Sequence, residues 1–250
     1  MKPLIASRSI PWPRAGQINI VVDGNSIMAG GQDTSDSNGG VVGWLTRHTY
    51  PFNQAVYSNV AIGGQNTDAM ASNASDVDAA FNASKTNVLV VMEGTNQMDT
   101  TTDSNSQAVE KLFTYISARR ATHQWSAVVV CCPPPVYYGD QQPQSYTDAY
   151  NAKLDAYNAY LRRYWPTAAD GLIDFRVPGG PYDQARYPDY LKARFFDTTV
   201  INGISNNASF ITEPTSGAVP NAKIHLTLAG ITAMAPFFAQ QLLRVPLHRG

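Results

Sequence analysis

Ser26 and His225 offer the two groups that acyl transfer needs at neutral pH, a hydroxyl nucleophile and an imidazole base. Ser26 closes the polar turn of VVDGNSIMAG, directly after an apolar run, and His225 lies in KIHLTLAG near the end of the sequence. A serine hydroxyl attacks a carbonyl only when a base removes its proton, and the pKa of histidine lies close to neutral pH. The pair therefore predicts nucleophilic catalysis by serine.

Two further stretches offer hydrogen-bond donors for the oxyanion that such a reaction forms. NVAIGGQNT contains Gly63 and Gly64, where the chain can approach a substrate closely and present a backbone N–H, and VVMEGTNQ contains the side-chain amide of Asn96. Each feature alone is usually structural, since serine after a strand is most often a helix N-cap and a glycine pair is usually a turn. Their order along the chain favours a catalytic site.

The elements that must position these residues alternate between β-branched runs and helical patterns. Strands are predicted at 17–22, 55–61, 87–92, 126–132 and 172–175, and helices near 41–48, 76–81, 109–116, 146–164 and 226–245, the last interrupted by Pro236. Continuous apolar runs such as NVLVVM are typical of strands buried on both faces of a parallel sheet. Functional residues of such sheets lie at the carboxyl ends of the strands, which is where the candidate residues are.

A row of tyrosines lies on one face of the predicted helix at 146–164. This spacing favours core packing, with the hydroxyl ends in water, over a platform for stacking sugars. The face comprises Tyr146, Tyr150, Tyr157 and Tyr164 together with Leu154 and Leu161.

Residues 177–223 lack periodicity and are rich in Pro, Gly, Asn and Thr. An irregular segment of that length is usually functional.

Composition excludes several classes of protein. The 250 residues are 44% apolar, which supports a single domain over 1–250 with residues 1–16 as an N-terminal extension. A net charge of −1 from 18 basic and 19 acidic residues argues against nucleic acid or an anionic membrane as a partner. The two cysteines are adjacent, so they form neither a disulfide framework nor a metal cage.

No signal peptide or transmembrane helix is predicted from the sequence. Charged residues make up only 15% of the chain, and Asn, Gln, Ser, Thr and Tyr replace them. This polar but weakly charged composition suits an extracellular or virion-associated protein, or one that acts on carbohydrate, at least as well as a cytosolic one.

The four stretches resemble, in the same order, the sequence blocks of the SGNH, or GDSL-type, hydrolase superfamily of esterases, lipases and carbohydrate deacetylases. The resemblance covers nearly the whole chain. It implies a three-layer α/β/α fold with a flavodoxin-like parallel sheet, and an acyl-enzyme formed without metal or organic cofactor. It places Ser26 as nucleophile, His225 as base, and Asn96 with Gly64, or alternatively Gly63, as oxyanion donors.

The sequence departs from the family pattern at three positions. Asn25 replaces the acidic residue of the first block, Gln97 replaces the acid after the third-block asparagine, and Ala222 stands where an aspartate precedes the histidine by three residues. The triad acid normally fixes the imidazole tautomer and stabilises the imidazolium. Three alternatives remain: a Ser-His dyad oriented by a backbone or amide oxygen, an acid relocated to Glu213 or Asp197, or a scaffold without catalysis.

The sequence therefore favours a serine esterase that hydrolyses short acyl esters, acetyl foremost, on a carbohydrate or related polar ester. The preference for a small acyl group rests on the absence of a long apolar lid and on the polar, aromatic character of residues 178–220. The alternative is a catalytically weak or inactive module of the same fold that binds glycan in a secreted or virion assembly. A transferase that uses an alcohol in place of water is a third reading.

Overall fold

A parallel sheet of five strands forms the centre of the protein. The computed structural model describes residues 12–13, 16–30, 40–136, 144–175, 211–212, 225–226 and 228–248. All four strand pairings are parallel, and the strand order β2-β1-β3-β4-β5 is flavodoxin-like, with its switch point between β1 and β3. The strands are β1 (Ile18–Gly24), β2 (Val56–Asn59), β3 (Thr86–Met92), β4 (Ala127–Cys131) and β5 (Gly171–Ile173).

Helices cover both faces of the sheet. Successive residues of a strand point to opposite faces, so each buried strand contributes to two cores. Val88 and Val90 belong to the core on one face, whereas Leu89 and Val91 belong to the core on the other face. The helices are α1 (Ser26–Ala29), α2 (Gly40–His48), α3 (Thr67–Ser72), α4 (Ala74–Ala80), α5 (Thr95–Thr100), α6 (Asn105–Thr122), α7 (Gln144–Tyr164) and α8 (Leu228–Leu242).

The helices divide into two layers. Helices α1, α2 and α8 bury apolar residues in one core, and α3, α4, α6 and α7 bury theirs in the other. The prediction of a three-layer α/β/α fold with a flavodoxin-like parallel sheet is therefore confirmed. Trp12, which lies in the predicted N-terminal extension, packs edge-on against the buried ring of Phe52 with centroids 5.6 Å apart.

A short antiparallel pair lies next to the first helix. It consists of β6 (Ile211–Thr212) and β7 (His225–Leu226), in which Thr212 is paired with His225. Cα atoms of β7 approach those of α1 and of α8 within 8 Å. The chain that carries His225 is thereby brought to the helix that begins at Ser26.

Two elements of the structure differ from the predictions made from the sequence. The helix near 226–245 was expected to be interrupted at Pro236, but α8 continues through that residue. A proline inside a helix costs about 3 kcal/mol, and α8 offsets this by burying one apolar face against the sheet. The buried residues of this face are Ile231, Met234, Ala235, Phe238, Ala239 and Leu242.

The second difference is α3, a six-residue helix that the apolar pattern does not indicate. Its first turn is held by the side chain of Asn66, which accepts the backbone N–H of Ala69 at 3.0 Å. Among the described residues, no helix has both the length and the apolar character needed to span a membrane.

Candidate active site

The turn between β1 and α1 sets the position of Ser26. Asn25 is fully buried and caps α1, because its Oδ1 accepts the backbone N–H of Ile27 at 3.0 Å. Gly24 has φ +148°, and a Cβ there would lie 2.3 Å from the backbone oxygen of Met92. Only glycine fits so close to the neighbouring strand, so the turn starts at a fixed point and leaves Ser26 partly exposed at the start of α1.

The segment after β2 runs alongside the end of β1. The N–H of Val60 donates to the oxygen of Val22 at 2.9 Å, and the N–H of Ile62 donates to that of Gly24 at 3.0 Å. These bonds extend the pairing beyond β2 itself. As a result, the glycine pair that follows lies at the carboxyl end of β1, near the start of α1.

The two glycines differ in what surrounds them. A Cβ at Gly63 would lie 3.8 Å from the Cβ of Ser26, which is ordinary van der Waals contact. Gly64 has φ +79°, and a Cβ there would meet nothing within 4 Å. Gly63 therefore lies against the serine, whereas Gly64 supplies the left-handed backbone that the turn requires.

Gln65 fastens this turn to the first strand. Its Nε2 donates to the oxygen of Gly24 at 2.5 Å and to Oδ1 of Asp23 at 3.0 Å. Only 5% of the residue is exposed, so these bonds form in a poorly solvated environment where hydrogen bonds are strong.

Asn96, in the first turn of α5, meets the same loop. Its Nδ2 donates to the backbone oxygen of Gln65 at 2.9 Å. A side-chain amide carries two N–H groups, and this bond uses one of them. The structure thus brings Ser26, the glycine pair and Asn96 to adjacent strand ends.

The structure describes His225 through its backbone, in β7 beside α1. Ala222, Asp197 and Glu213, which bear on how the imidazole is oriented, lie outside the described residues, as does most of the irregular segment 177–223. Within the described part of the chain, no group of three or more His, Cys, Asp or Glu side chains could hold a metal ion.

Two buried carboxylates, Asp23 and Glu93, support the site, and neither role was predicted from the sequence. Asp23 accepts the N–H of Gly24 at 2.8 Å on Oδ1, and the hydroxyl of Tyr115 on Oδ2. Burial raises the pKa of Asp23 to about 6, although these hydrogen bonds act in the opposite direction. The signal in the sequence is an acid placed directly after a continuous apolar run.

Glu93 directly follows β3 and is 0% exposed. Its Oε2 accepts Nδ2 of Asn25 at 2.5 Å, and its Oε1 accepts the backbone N–H of Gln97 at 2.8 Å. Burial raises the pKa of Glu93 to about 7, against the lowering effect of these bonds.

Gln97 connects α5 to the loops on either side. Its Oε1 accepts the backbone N–H of Thr67 at 2.9 Å, and its Nε2 donates to Oδ2 of Asp103 at 2.5 Å. An amide can accept one bond and donate another, which a carboxylate at this position could not do.

The tyrosine row of α7 packs in the core as predicted, but two of its hydroxyls are not in water. Tyr150 donates to the backbone oxygen of Thr95 at 2.5 Å, and Tyr157 donates to that of Glu93 at 2.7 Å. Both rings are buried, whereas Tyr146 is 40% exposed. The helix therefore helps to fix the backbone at the end of β3.

Several solved structures share this fold. The acetylxylan esterase Axe2 from Geobacillus stearothermophilus is 15% identical, with a TM-score of 0.61 over 95% of this chain and 98% of that chain. LAE5, an alpha/beta hydrolase enzyme from the metagenome of Lake Arreo, Spain, is 17% identical, with a TM-score of 0.60 over 93% and 97%. A member of the lipolytic protein G-D-S-L family from Veillonella parvula is 14% identical, with a TM-score of 0.60 over 91% and 100%.

The family of the chain makes the protein a carboxylic ester hydrolase. Residues 23–230 match the model of the GDSL-like Lipase/Acylhydrolase family, and the chain belongs to that family. The resemblance inferred from the four sequence blocks is therefore confirmed. Comparison with curated proteins found no match.

Proposed function

We propose that this esterase removes short acyl groups, acetyl foremost, from a carbohydrate or a similarly polar ester, through an acyl-enzyme on Ser26. The observation that carries the proposal is the meeting of three strand ends. Gly63 lies against Ser26, and the amide of Asn96 is bonded to the loop that carries the glycine pair. This arrangement supports a site in which a hydroxyl nucleophile acts with N–H donors at the switch point of the sheet.

In the proposed reaction, Oγ of Ser26 attacks the ester carbonyl carbon while His225 takes the hydroxyl proton. The backbone N–H groups of Ser26 and of Gly64, or of Gly63, together with the amide of Asn96, stabilise the oxyanion. Collapse of the tetrahedral intermediate breaks the ester bond, and the alcohol leaves with the proton from His225. Water, activated by the same imidazole, then releases the carboxylic acid and restores the serine.

The preference for acetyl on a carbohydrate has separate support. The fold neighbour Axe2 is described as an acetylxylan esterase, and two catalytic mutants of that enzyme replace a serine and an aspartate.

In this chain Ala222 stands three residues before His225, so an amide or backbone oxygen, or a relocated acid, orients the imidazole. Asp197→Asn and Glu213→Gln distinguish the two cases, because only a relocated acid makes one of them as harmful as His225→Ala.

Hydrolysis of p-nitrophenyl acetate by the wild type and by Ser26→Ala tests the proposal. Loss of the nucleophile is expected to lower kcat by about 1,000-fold or more. Ser72→Ala, at an exposed hydroxyl on α3 that donates to the oxygen of Asp68, is the matched control and should keep the wild-type rate. Circular dichroism verifies that all three proteins are folded.

The substrate class is tested with two series of esters. Acetate, butyrate and octanoate esters of p-nitrophenol should show kcat/KM falling with chain length, and acetylated xylo-oligosaccharides should release acetate. Equal rates for wild type and Ser26→Ala on every ester would contradict the proposed mechanism and favour a glycan-binding module. Ester products formed from added alcohols would indicate a transferase instead.

A further inference from the structure

One carboxylate, that of Glu93, joins the two parts of the site. It accepts a hydrogen bond from Nδ2 of Asn25 at 2.5 Å and another from the backbone N–H of Gln97 at 2.8 Å. Asn25 directly precedes Ser26, and Gln97 directly follows Asn96. The residues next to the nucleophile and next to the amide donor are thus held by the same buried group.

The surroundings of this carboxylate consist of donors. Asn25 and the N–H of Gln97 donate to this carboxylate, and the backbone N–H groups of Gly94 and Asn96 lower its pKa. An ionised carboxylate is an acceptor only and has about four lone-pair sites, so it suits surroundings made of donors. A neutral amide has a single acceptor atom, so its N–H group would face either the N–H groups of Asn25 or the backbone N–H of Gln97.

Asn25 cannot relieve such a conflict by rotating its amide. Its Oδ1 already accepts the N–H of Ile27 at 3.0 Å, in the cap of α1. Only its Nδ2 can face Glu93, and the partner must therefore be an acceptor. The turn that positions Ser26 therefore uses an acceptor atom of a residue 68 positions away in the sequence.

We propose that Glu93 is a positioning residue for acyl transfer, whose buried carboxylate aligns the Ser26 turn with the oxyanion amide of Asn96. This inference rests on the function proposed above. Because Glu93 is 0% exposed, it acts on the ester only through its neighbours. Its proposed role is to align Ser26 and Asn96 before the substrate binds.

The location of the Glu93 carboxylate, between the Ser26 turn and the helix that carries Asn96, favours a role in catalysis. A fully buried carboxylate is costly, and burial raises the pKa of Glu93 to about 7. Replacing buried ionic groups together with their partners by well-packed apolar residues is often neutral or stabilising, so stability alone does not require a buried charge. A purely structural contact would not need a buried carboxylate here, whereas alignment of Ser26 with Asn96 gives the carboxylate a role.

A reciprocal exchange of the two side chains tests the inference. Glu93→Gln alone sets an amide against an amide, and Asn25→Asp alone sets a carboxylate against a carboxylate. Each is expected to lower kcat for p-nitrophenyl acetate by about 10- to 100-fold with little change in KM, since a misplacement of about 1 Å costs about 100-fold. The double variant should return kcat to within about 3-fold of the wild type.

The double variant is expected to restore all three bonds, with only the bond between positions 25 and 93 reversed in direction. The new carboxylate at position 25 accepts from the new amide at position 93 and still accepts the N–H of Ile27. The oxygen of the new amide still accepts the N–H of Gln97. If Glu93→Gln does not fold, Asn25→Asp and the double variant carry the test, because rescue of kcat is measured between those two.

The pH profile separates alignment from a general loss of stability. In Asn25→Asp, ionising both facing carboxylates is costly, so the pair retains one shared proton until the pH is well above the ordinary pKa of a carboxyl. The kcat of this variant relative to wild type should fall as the pH rises and that proton is lost. Among the described residues, Tyr157 is a titratable side chain that contacts Glu93, since its hydroxyl donates to the backbone oxygen of Glu93.

Control variants remove the same groups elsewhere. Glu110→Gln on α6 and Asn53→Asp before β2 change exposed side chains and should keep the wild-type kcat. A folded Glu93→Gln with full kcat, or a folded double variant no better than Asn25→Asp, overturns the inference alone. A wild type without Ser26-dependent hydrolysis overturns the proposed function, and this inference with it.

Discussion

The Nδ2 of Asn96 lies 2.9 Å from the backbone oxygen of Gln65, so the helix after β3 holds the loop after β2. That loop in turn is tied to β1 through the side chain of Gln65. The donors at the switch point are therefore fixed by the protein before any ester binds. Donors that need no reorganisation during the reaction are the most effective in stabilising an oxyanion.

Asn96→Ala is predicted to lower kcat for p-nitrophenyl acetate by about 100- to 1,000-fold, with KM nearly unchanged. In the proposed mechanism the amide stabilises charge that exists only in the transition state, and loss of one such donor costs about that much. Steady-state kinetics measure the effect, and Asn53→Ala, at an exposed position before β2, is the control. An Asn96→Ala enzyme with wild-type kcat would remove this residue from the proposed mechanism.

Gly64→Ala and Gly63→Ala are predicted to have different effects. Gly64 has φ +79°, where an L side chain costs about 1–2 kcal/mol, so Gly64→Ala should be less stable by that amount in urea unfolding. A methyl group at Gly63 would lie 3.8 Å from the Cβ of Ser26, in ordinary contact. Gly63→Ala should keep its stability and lose more activity with butyrate than with acetate esters. The reverse pattern of stabilities would contradict this assignment of the two glycines.

The main features of the fold could be predicted from the sequence, because burial of a parallel strand leaves a continuous apolar run. NVLVVM is an example and corresponds to most of β3. The order of the four motifs likewise placed Ser26 and Asn96 at strand ends. Helix α3 could not be recognised in this way, because a six-residue helix held by the cap of Asn66 carries no apolar period.

The supporting network was harder to predict, because apolar periodicity does not say which polar groups become partners. Asn25 and Glu93 are 68 positions apart, and Tyr115 and Asp23 are 92 apart. Such pairs are selected by the packing of strands and helices in three dimensions. The hydroxyl of Tyr157, expected in water, instead meets the buried oxygen of Glu93 for the same reason.

Tyr157→Phe is predicted to lower the free energy of unfolding by about 1–3 kcal/mol, because the oxygen of Glu93 then loses a donor in a buried site. Tyr146→Phe is the matched control on the same helix. Tyr146 is 40% exposed and its hydroxyl donates to Oδ1 of Asp99, where water can take the place of the hydroxyl. Tyr146→Phe should change stability by less than about 0.5 kcal/mol. Urea unfolding of both variants measures the difference, and equal losses would show that burial of the hydroxyl is not the cause.

The pH dependence of stability is predicted to change in Asp23→Asn. Burial raises the pKa of Asp23 from 3.8 to about 6, so the folded state binds its proton more tightly than the unfolded state does. The resulting stabilisation is complete below about pH 4 and is lost as pH rises through about 6, with a total of about 3 kcal/mol. Urea unfolding between about pH 4 and pH 7.5 should therefore show the stability of the wild type falling relative to Asp23→Asn by about that amount. Asp76→Asn, at an exposed carboxylate on α4, controls for the removal of a surface charge. A wild type whose stability relative to Asp23→Asn instead rose with pH would mean that hydrogen bonds from Tyr115 and Gln65 outweigh the cost of burial.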